Sequence, residues 1–279
     1  MILKKASILI KHFSLLLFLI LWISPYIDFS QSKINSQDVT IDHIPIAFSD
    51  LSKLKSILVD DLQFTLKEGT EHQGIKNCFI KFKDGTYLEF VSPIDTITRL
   101  GRLYSKKLEA EQLAYFIALK VTSKEHIISK LTLNSIPYTF ETNRFWEIIT
   151  FENQSLFFIK YLNSNWKENE RFTNHPNGSI GLKTIWLSSK KSKNELSLLQ
   201  KFGNDVNEQY ELEIGNQSIH FHSVFDSLLV QEFQFGISIQ VNSLNDLEKR
   251  VSENLLTKTS NDALLFTNKS LPFFIEFVE

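Results

Sequence analysis

His43 and Glu89 are the side chains whose type and setting most readily suit chemistry. Each sits in a run of alternating apolar residues, TIDHIPIAF at 40–48 and TYLEFV at 86–91. Successive side chains of a strand point to opposite faces. Ile44, Ile46 and Phe48 therefore share one face, and His43, Pro45 and Ala47 the other. Leu88 and Phe90 likewise oppose Tyr87, Glu89 and Val91. If the apolar faces pack on a helix, His43 and Glu89 both look the other way. A neutral imidazole and a carboxylate are ordinary ligands for a divalent ion, and they can equally hydrogen-bond each other. A second cluster lies around Gly215-Asn216, where a two-residue turn sets Glu211 opposite His220 and Gln209 opposite His222. It reads as an exposed cross-strand ion pair, with a metal site as the alternative. Trp146 and Trp166 suit either stacking on an apolar ligand or packing at the core and rim. The one cysteine, Cys78, excludes an intramolecular disulfide and a multi-thiolate metal site. Its apolar neighbours Phe79 and Ile80 mark it as a buried thiol. The chain holds no Gly-rich phosphate loop, nucleophile elbow or His-Glu-x-x-His helix.

The elements that must position these residues follow from periodicity. The strand at 40–48 is followed by Ser49-Asp50 at a helix N-cap, then Leu51, Leu54, Ile57 and Leu58 at helical spacing. Strands are predicted at 62–66, 76–82 and 86–91, the last two joined by the hairpin signal Asp84-Gly85. The order β-α-β-β-β then recurs. A strand at 113–121, a helix from Ser123 to about Leu131, a short strand at 138–139 and a hairpin from 145–151 and 156–161 form the second unit. A third unit begins at 180–188, with a helix near 194–202 and strands at 209–214 and 217–222. A fourth begins at 235–241, with a helix at 244–251 and strands near 264–266 and 272–278. Four related units imply internal duplication. The polar stretch 163–179, with Asn174-His175-Pro176-Asn177-Gly178, separates two pairs of units.

Composition limits the partners. The chain has 279 residues, 43% of them hydrophobic, 24 Phe, and a formal net charge of -2. That supports a packed core and gives no electrostatic case for nucleic acid. The first residues carry Lys4, Lys5 and Lys11, then the apolar run FSLLLFLILWI at 13–23, then Pro25 and polar sequence. This is the layout of a secretory signal, and the run is shorter than the roughly twenty residues of a membrane span. A cleaved signal, a retained membrane anchor and a buried helix of the folded domain all stay open. Either of the first two would place the protein outside the cytoplasm, periplasmic or extracytoplasmic. Residues 1–36 are thus signal or anchor plus tether, 37–172 a first domain and 173–279 a second.

The run Asp42-His43-Ile44-Pro45-Ile46-Ala47, then Asp50-Leu51, then Asp84-Gly85-Thr86-Tyr87-Leu88-Glu89-Phe90, resembles the first module of the glyoxalase-like branch of the vicinal oxygen chelate superfamily. Phe157-Phe158-Ile159 and His175-Pro176-Asn177-Gly178 are similar to later elements of that branch and fall in the expected order. The resemblance implies an α+β fold of paired βαβββ modules whose curved sheets enclose a concave pocket. It also implies, in some members, a divalent metal held by one residue from the first strand and one from the last strand of each module. Here the second module aligns Phe116 with His43 and Lys160 with Glu89, so the implied ligand set is incomplete. In the last two units Lys183 and Gly236 fall opposite His43, and Glu276 opposite Glu89.

Three readings stay open. In the first, an exported protein binds a small molecule in the pocket without a complete metal site, using His43, Glu89, Tyr87, Phe116, Lys160 and Trp146. Lys160 is expected to enter beside Glu89, and Phe116 to wall the pocket. In the second, a metal-dependent lyase, isomerase or dioxygenase uses His43 and Glu89 as metal ligands. In the third, the protein is a non-catalytic partner of the envelope.

Overall fold

The computed structural model describes residues 38–110, 114–152, 154–163, 167–188, 193–202, 211–222, 233, 235–259 and 262–279. The predicted signal or anchor, Trp166, Gln209 and the His222 side chain lie outside that description.

The first pair of units builds one sheet. β1 (Val39–Ala47), α1 (Leu51–Ser56), β2 (Lys67–Glu68), β3 (Ile75–Lys81) and β4 (Tyr87–Pro93) form the first module. α2 (Arg99–Ala110) and β5 (Ala114–Tyr115) lead into β6 (Ile117–Val121), α3 (Lys124–Leu133), β7 (Thr139–Thr142), β8 (Trp146–Thr150) and β9 (Leu156–Tyr161). The strand order is β2-β3-β4-β1-β6-β9-β8-β7, with β5 beside β1. β1 runs parallel to β4 and antiparallel to β6, and β6 runs parallel to β9, so the second module repeats the first. The second sheet uses β10 (Ser179–Ser188), α4 (Lys193–Lys201), β11 (Glu211–Ile214), β12 (Gln217–His222), β13 (Phe235–Val241), α5 (Leu244–Arg250), β14 (Leu256–Lys258), β15 (Leu264–Phe266) and β16 (Phe274–Val278). Its order, β11-β12-β10-β13-β16-β15-β14, has the same two parallel pairs about a central antiparallel one. The fold is α+β, with paired βαβββ modules in curved, open sheets.

Local chemistry explains the helix starts. Asp50, Ser123 and Ser243 each accept a hydrogen bond from a backbone N–H two or three residues on, the bond an N-cap supplies to an orphan donor. Two elements differ from expectation. The strand predicted at 62–66 does not form. A π-helical turn, Ile57–Asp61, prolongs α1, and Gln63 takes a positive φ of 58°. Leu62 and Phe64 satisfy their hydrophobicity by burial in the core rather than by pairing. The helix α2 was not anticipated. Leu100, Tyr104 and Leu108, four residues apart, lay it against Ala47, Ile75, Val91 and Phe116. Those four sheet residues share the face of His43, so α2 occupies one end of the concave side.

The opposite, apolar faces of both sheets feed one continuous core, with Ile44, Ile46, Leu88 and Phe90 from the first sheet and Ile185, Ile219, Ile237 and Phe277 from the second. Ring pairs cross between them: Phe48 with Phe273, Phe64 with Phe277, and Tyr115 with Phe235. The loop His175-Pro176-Asn177-Gly178 clasps the first module. His175 Nδ1 accepts from the Thr65 backbone N–H at 3.0 Å, and its Nε2–H donates to the Lys81 carbonyl at 2.8 Å. These two bonds fix the neutral tautomer, and burial lowers the imidazole pKa to about 4. The Asn177 amide donates to the Leu62 carbonyl at 2.7 Å. Gly181 passes so close to the Asp84-Gly85 turn that a Cβ would lie 2.3 Å from Asp84 Oδ2. No helix among the described residues is long and apolar enough to cross a membrane.

Candidate functional site

The register sets who faces the concavity. His43 pairs with Tyr87 and Pro45 with Glu89 across β1 and β4, and Tyr87 in turn pairs with Lys81, Glu89 with Phe79. His43 also pairs with Ala118 on β6, and Ala118 with Phe157 on β9. Partners in register share a face, so His43, Tyr87, Glu89, Phe79, Lys81, Phe157, Ile159 and Tyr161 form one surface. β1 carries a bulge: Ile41 pairs with Leu119 and His43 with Ala118, leaving Asp42 as the extra residue. A bulge interrupts strict alternation, and here it brings Asp42 beside His43.

His43 is buried, 5% exposed. Its Nδ1 donates to Asp42 Oδ2 at 2.7 Å, and its Nε2 lies 3.7 Å from Glu89 Oε2. The Tyr161 hydroxyl donates to the same Asp42 oxygen at 2.7 Å, and the Tyr87 hydroxyl lies 3.4 Å from that of Tyr161. Asn77 fixes Glu89 by donating to Oε1 at 2.8 Å. The His43 and Tyr87 rings stack at 4.3 Å with 4° between planes, and Phe157 meets His43 edge-on at 5.8 Å. Burial pushes the Asp42 carboxyl up, but the hydrogen bond and charge of His43, the Tyr161 hydroxyl and Lys120 outweigh it, so its pKa is lowered. Burial also pushes both tyrosine hydroxyls well above their ordinary range. Burial lowers the Lys81 ammonium to about 8 against the pull of Glu89, Glu168 and Asp42.

The structure thus brings His43, Glu89 and Tyr87 together. Trp146, paired with Tyr161, faces the same way from the rim, stacked on Phe145. Phe116 also shares that face, but it lies under α2 against Tyr104, with Phe157 between it and His43. Lys160 corrects the expectation. It is one residue out of phase with Phe157, Ile159 and Tyr161, shares the helix face with Phe158, and approaches Glu125 of α3 at 3.9 Å. Tyr161 is the residue that enters from the second module. Asp42, Asn77, Lys81 and Tyr161 were not singled out from sequence. The bulge does leave a trace there: the buried apolar positions run 39, 41, 44, 46, a step of three among steps of two.

The residues do not fit a resident metal held by the protein alone. His43 Nε2 and Glu89 Oε2 are close enough to share an ion with ligand distances of about 2.1 Å. The second module answers with Ala118, Phe157 and Ile159, which carry no donor atoms. Glu89's other oxygen is taken by Asn77. Among the described residues no group of three or more His, Cys, Asp or Glu is arranged to hold a metal.

The second sheet carries a different set at the corresponding positions. A bulge between Leu182 and Thr184 makes Lys183 the extra residue, so Thr184, not Lys183, occupies the place of His43. Thr184 and Ser218 hydroxyls meet at 3.1 Å. Trp186 Nε1 donates to Ser238 Oγ at 2.6 Å, and Ser238 donates to Glu276. Glu211 and His220 pair at 2.7 Å with both side chains about one-fifth exposed, more sheltered than the expected surface pair. Phe274 lies over Gly236, where a Cβ would be 2.1 Å from its ring.

Comparison with known proteins agrees with this architecture. The family model described as a glyoxalase-like domain matches residues 41–202. A hypothetical protein from Staphylococcus aureus superposes with a TM-score of 0.57 at 14% identity, over 86% of this chain and 99% of that one. Homoprotocatechuate 2,3-dioxygenase from Arthrobacter globiformis gives 0.55 at 10% identity, over 88% and 81%. A catechol 2,3-dioxygenase gives 0.54 at 12% identity, over 86% and 88%. These likenesses are of fold. No protein of curated function matches the sequence. With two βαβββ modules per sheet and a family match over more than half its length, the chain belongs to the glyoxalase-like family.

Proposed function

We propose that the protein binds a small, partly polar molecule on the concave face of its first sheet, without a resident metal. The observation that carries this reading is convergence: His43 Nε2, Glu89 and the Tyr87–Tyr161 hydroxyl pair meet on one face among Phe79, Phe157 and Ile159. A few placed polar groups on an otherwise apolar concave wall is the usual make-up of a small-molecule site. The dioxygenase likenesses, at 10% and 12% identity, do not select a reaction.

The test is a fragment screen by NMR on chelator-treated protein, reading the His43 imidazole. Fragments that shift His43 in wild type and not in a Tyr161→Phe, Glu89→Gln variant support the reading. Binding that appears only after a divalent ion is added overturns it in favour of the metal-dependent alternative.

The basic start and apolar run of residues 1–23 support export as the setting. Deleting residues 2–30 should move the protein to the cytoplasmic fraction, and an unchanged distribution would refute export.

A further inference from the structure

We propose that Lys81 holds an anion in this cup and that the ligand is a small monocarboxylate with a flat apolar body. The proposal rests on the ligand reading above and names the substrate class.

Lys81 faces the concavity because it pairs with Tyr87, which pairs with His43. Its Nζ lies 3.1 Å from the Tyr87 ring centroid and 4.6 Å from that of Phe79. His43 covers one face of Tyr87 at 4.3 Å, which leaves no room for an ammonium between the rings. Lys81 therefore lies on the other face, and Tyr87 is sandwiched between the two. Neighbouring lysines have carboxylate partners: Lys67 has Glu168 at 2.7 Å, Lys124 has Glu147, and Lys160 has Glu125. Lys81 has none within ion-pair distance among the described residues. The ring faces hold its charge only through their quadrupoles, and a half-buried ammonium without an acceptor is a costly arrangement. A ligand anion supplies what the protein omits.

The surrounding charges select the anion's size. Glu89 on β4, Asp42 on β1 and Glu168 act on Lys81 from one sign, and Lys67 on β2 from the other. Two carboxylates share the inward surface with Lys81, so a dianion such as a phosphate monoester would meet more repulsion than a carboxylate. Phe79, Tyr87, Phe157 and Tyr161 give flat walls suited to an aromatic or unsaturated body.

Benzoate and its neutral isostere benzamide separate the charge from the body. Both are titrated against wild type, Lys81→Met and Lys81→Arg, following the His43 imidazole by NMR. Wild type should prefer benzoate at least tenfold. Lys81→Met should bind both alike, and Lys81→Arg should keep the preference. In wild type the preference should fade as pH rises past about 8, while in Lys81→Arg it should persist. Equal affinities in wild type, or a preference surviving in Lys81→Met, overturns the carboxylate proposal and leaves the ligand cup standing. Absence of any His43 response to either compound up to about 10 mM, the weak end of fragment binding, overturns both.

Discussion

Asp42 is the hub of the site, because one of its oxygens accepts from both His43 and Tyr161. Asp42→Asn should keep the size and lose the charge that orients both donors. The expected cost is about 1–3 kcal/mol at neutral pH, measured by urea unfolding. Asp42 has a lowered folded pKa. Its stabilisation is therefore present above the unfolded carboxyl pKa and lost as pH falls through the folded one. The variant should lack that acid-side loss. Lys81 has the opposite balance. Its folded pKa, about 8, lies below the unfolded value. Folding is thus penalised in full below about pH 8, and the penalty shrinks as pH rises from there and is gone above the unfolded pKa. Lys81→Met should raise stability at pH 7 by on the order of 1 kcal/mol, seen as a higher Tm, while removing the preference for benzoate. A residue retained against stability is what a functional role predicts. His43 and Glu89 were legible in sequence because they sit in clean alternating runs. Asp42 was not, because the bulge suspends the alternation on which that inference depends. Lys160 was misplaced because setting FIKYL at 158–162 against YLEFV at 87–91 puts the phase one residue off.

The His175 clasp and the Gly181 crossing are legible as motifs but not as structure. His-Pro-Asn-Gly announces a turn, while the Thr65 and Lys81 backbone groups it binds lie about a hundred residues away in the chain. His175 is neutral in the fold with a pKa of about 4, against an ordinary 6.5. The unfolded chain therefore binds the extra proton between those values, and stability falls as pH drops from 6.5 towards 4, by about 3 kcal/mol. Replacing His175 with Gln, which keeps a donor and an acceptor, should flatten that part of the stability–pH curve. Gly181→Ala should cost about 1–3 kcal/mol, because its Cβ would collide with the Asp84 carboxylate at the turn. Chemical denaturation of the two proteins checks both. The helix α2 shows the converse lesson. Its apolar spacing of 100, 104 and 108 is present in the sequence, but so narrow a stripe among charged and polar residues does not by itself mark a helix.

At the scale of the molecule, the sequence suggested two domains, and the repeated modules explain why. The core does not divide there. Phe48, Phe64 and Tyr115 from the first sheet pack on Phe273, Phe277 and Phe235 from the second. Residues 38–279 should therefore unfold in one cooperative step, with coincident transitions by fluorescence and circular dichroism. A fragment ending at 172 should expose those rings and aggregate or lose its near-ultraviolet signal. Two separate transitions in the whole chain would contradict a shared core.

The bulge in β1 recurs in β10, with Asp42 and His43 at one and Lys183 and Thr184 at the other. In each strand the residues before and after it hold their faces through the extra position, Ile41 and Ile44 in one, Leu182 and Ile185 in the other. The side chains at the interruption therefore differ between the two sheets, Asp42 and His43 in one and Lys183 and Thr184 in the other, while the apolar residues on either side of it keep the core face in both. A single displaced residue thus separates two jobs along one strand: the flanking positions answer to the interior, and the displaced pair is left to face the open side of the sheet.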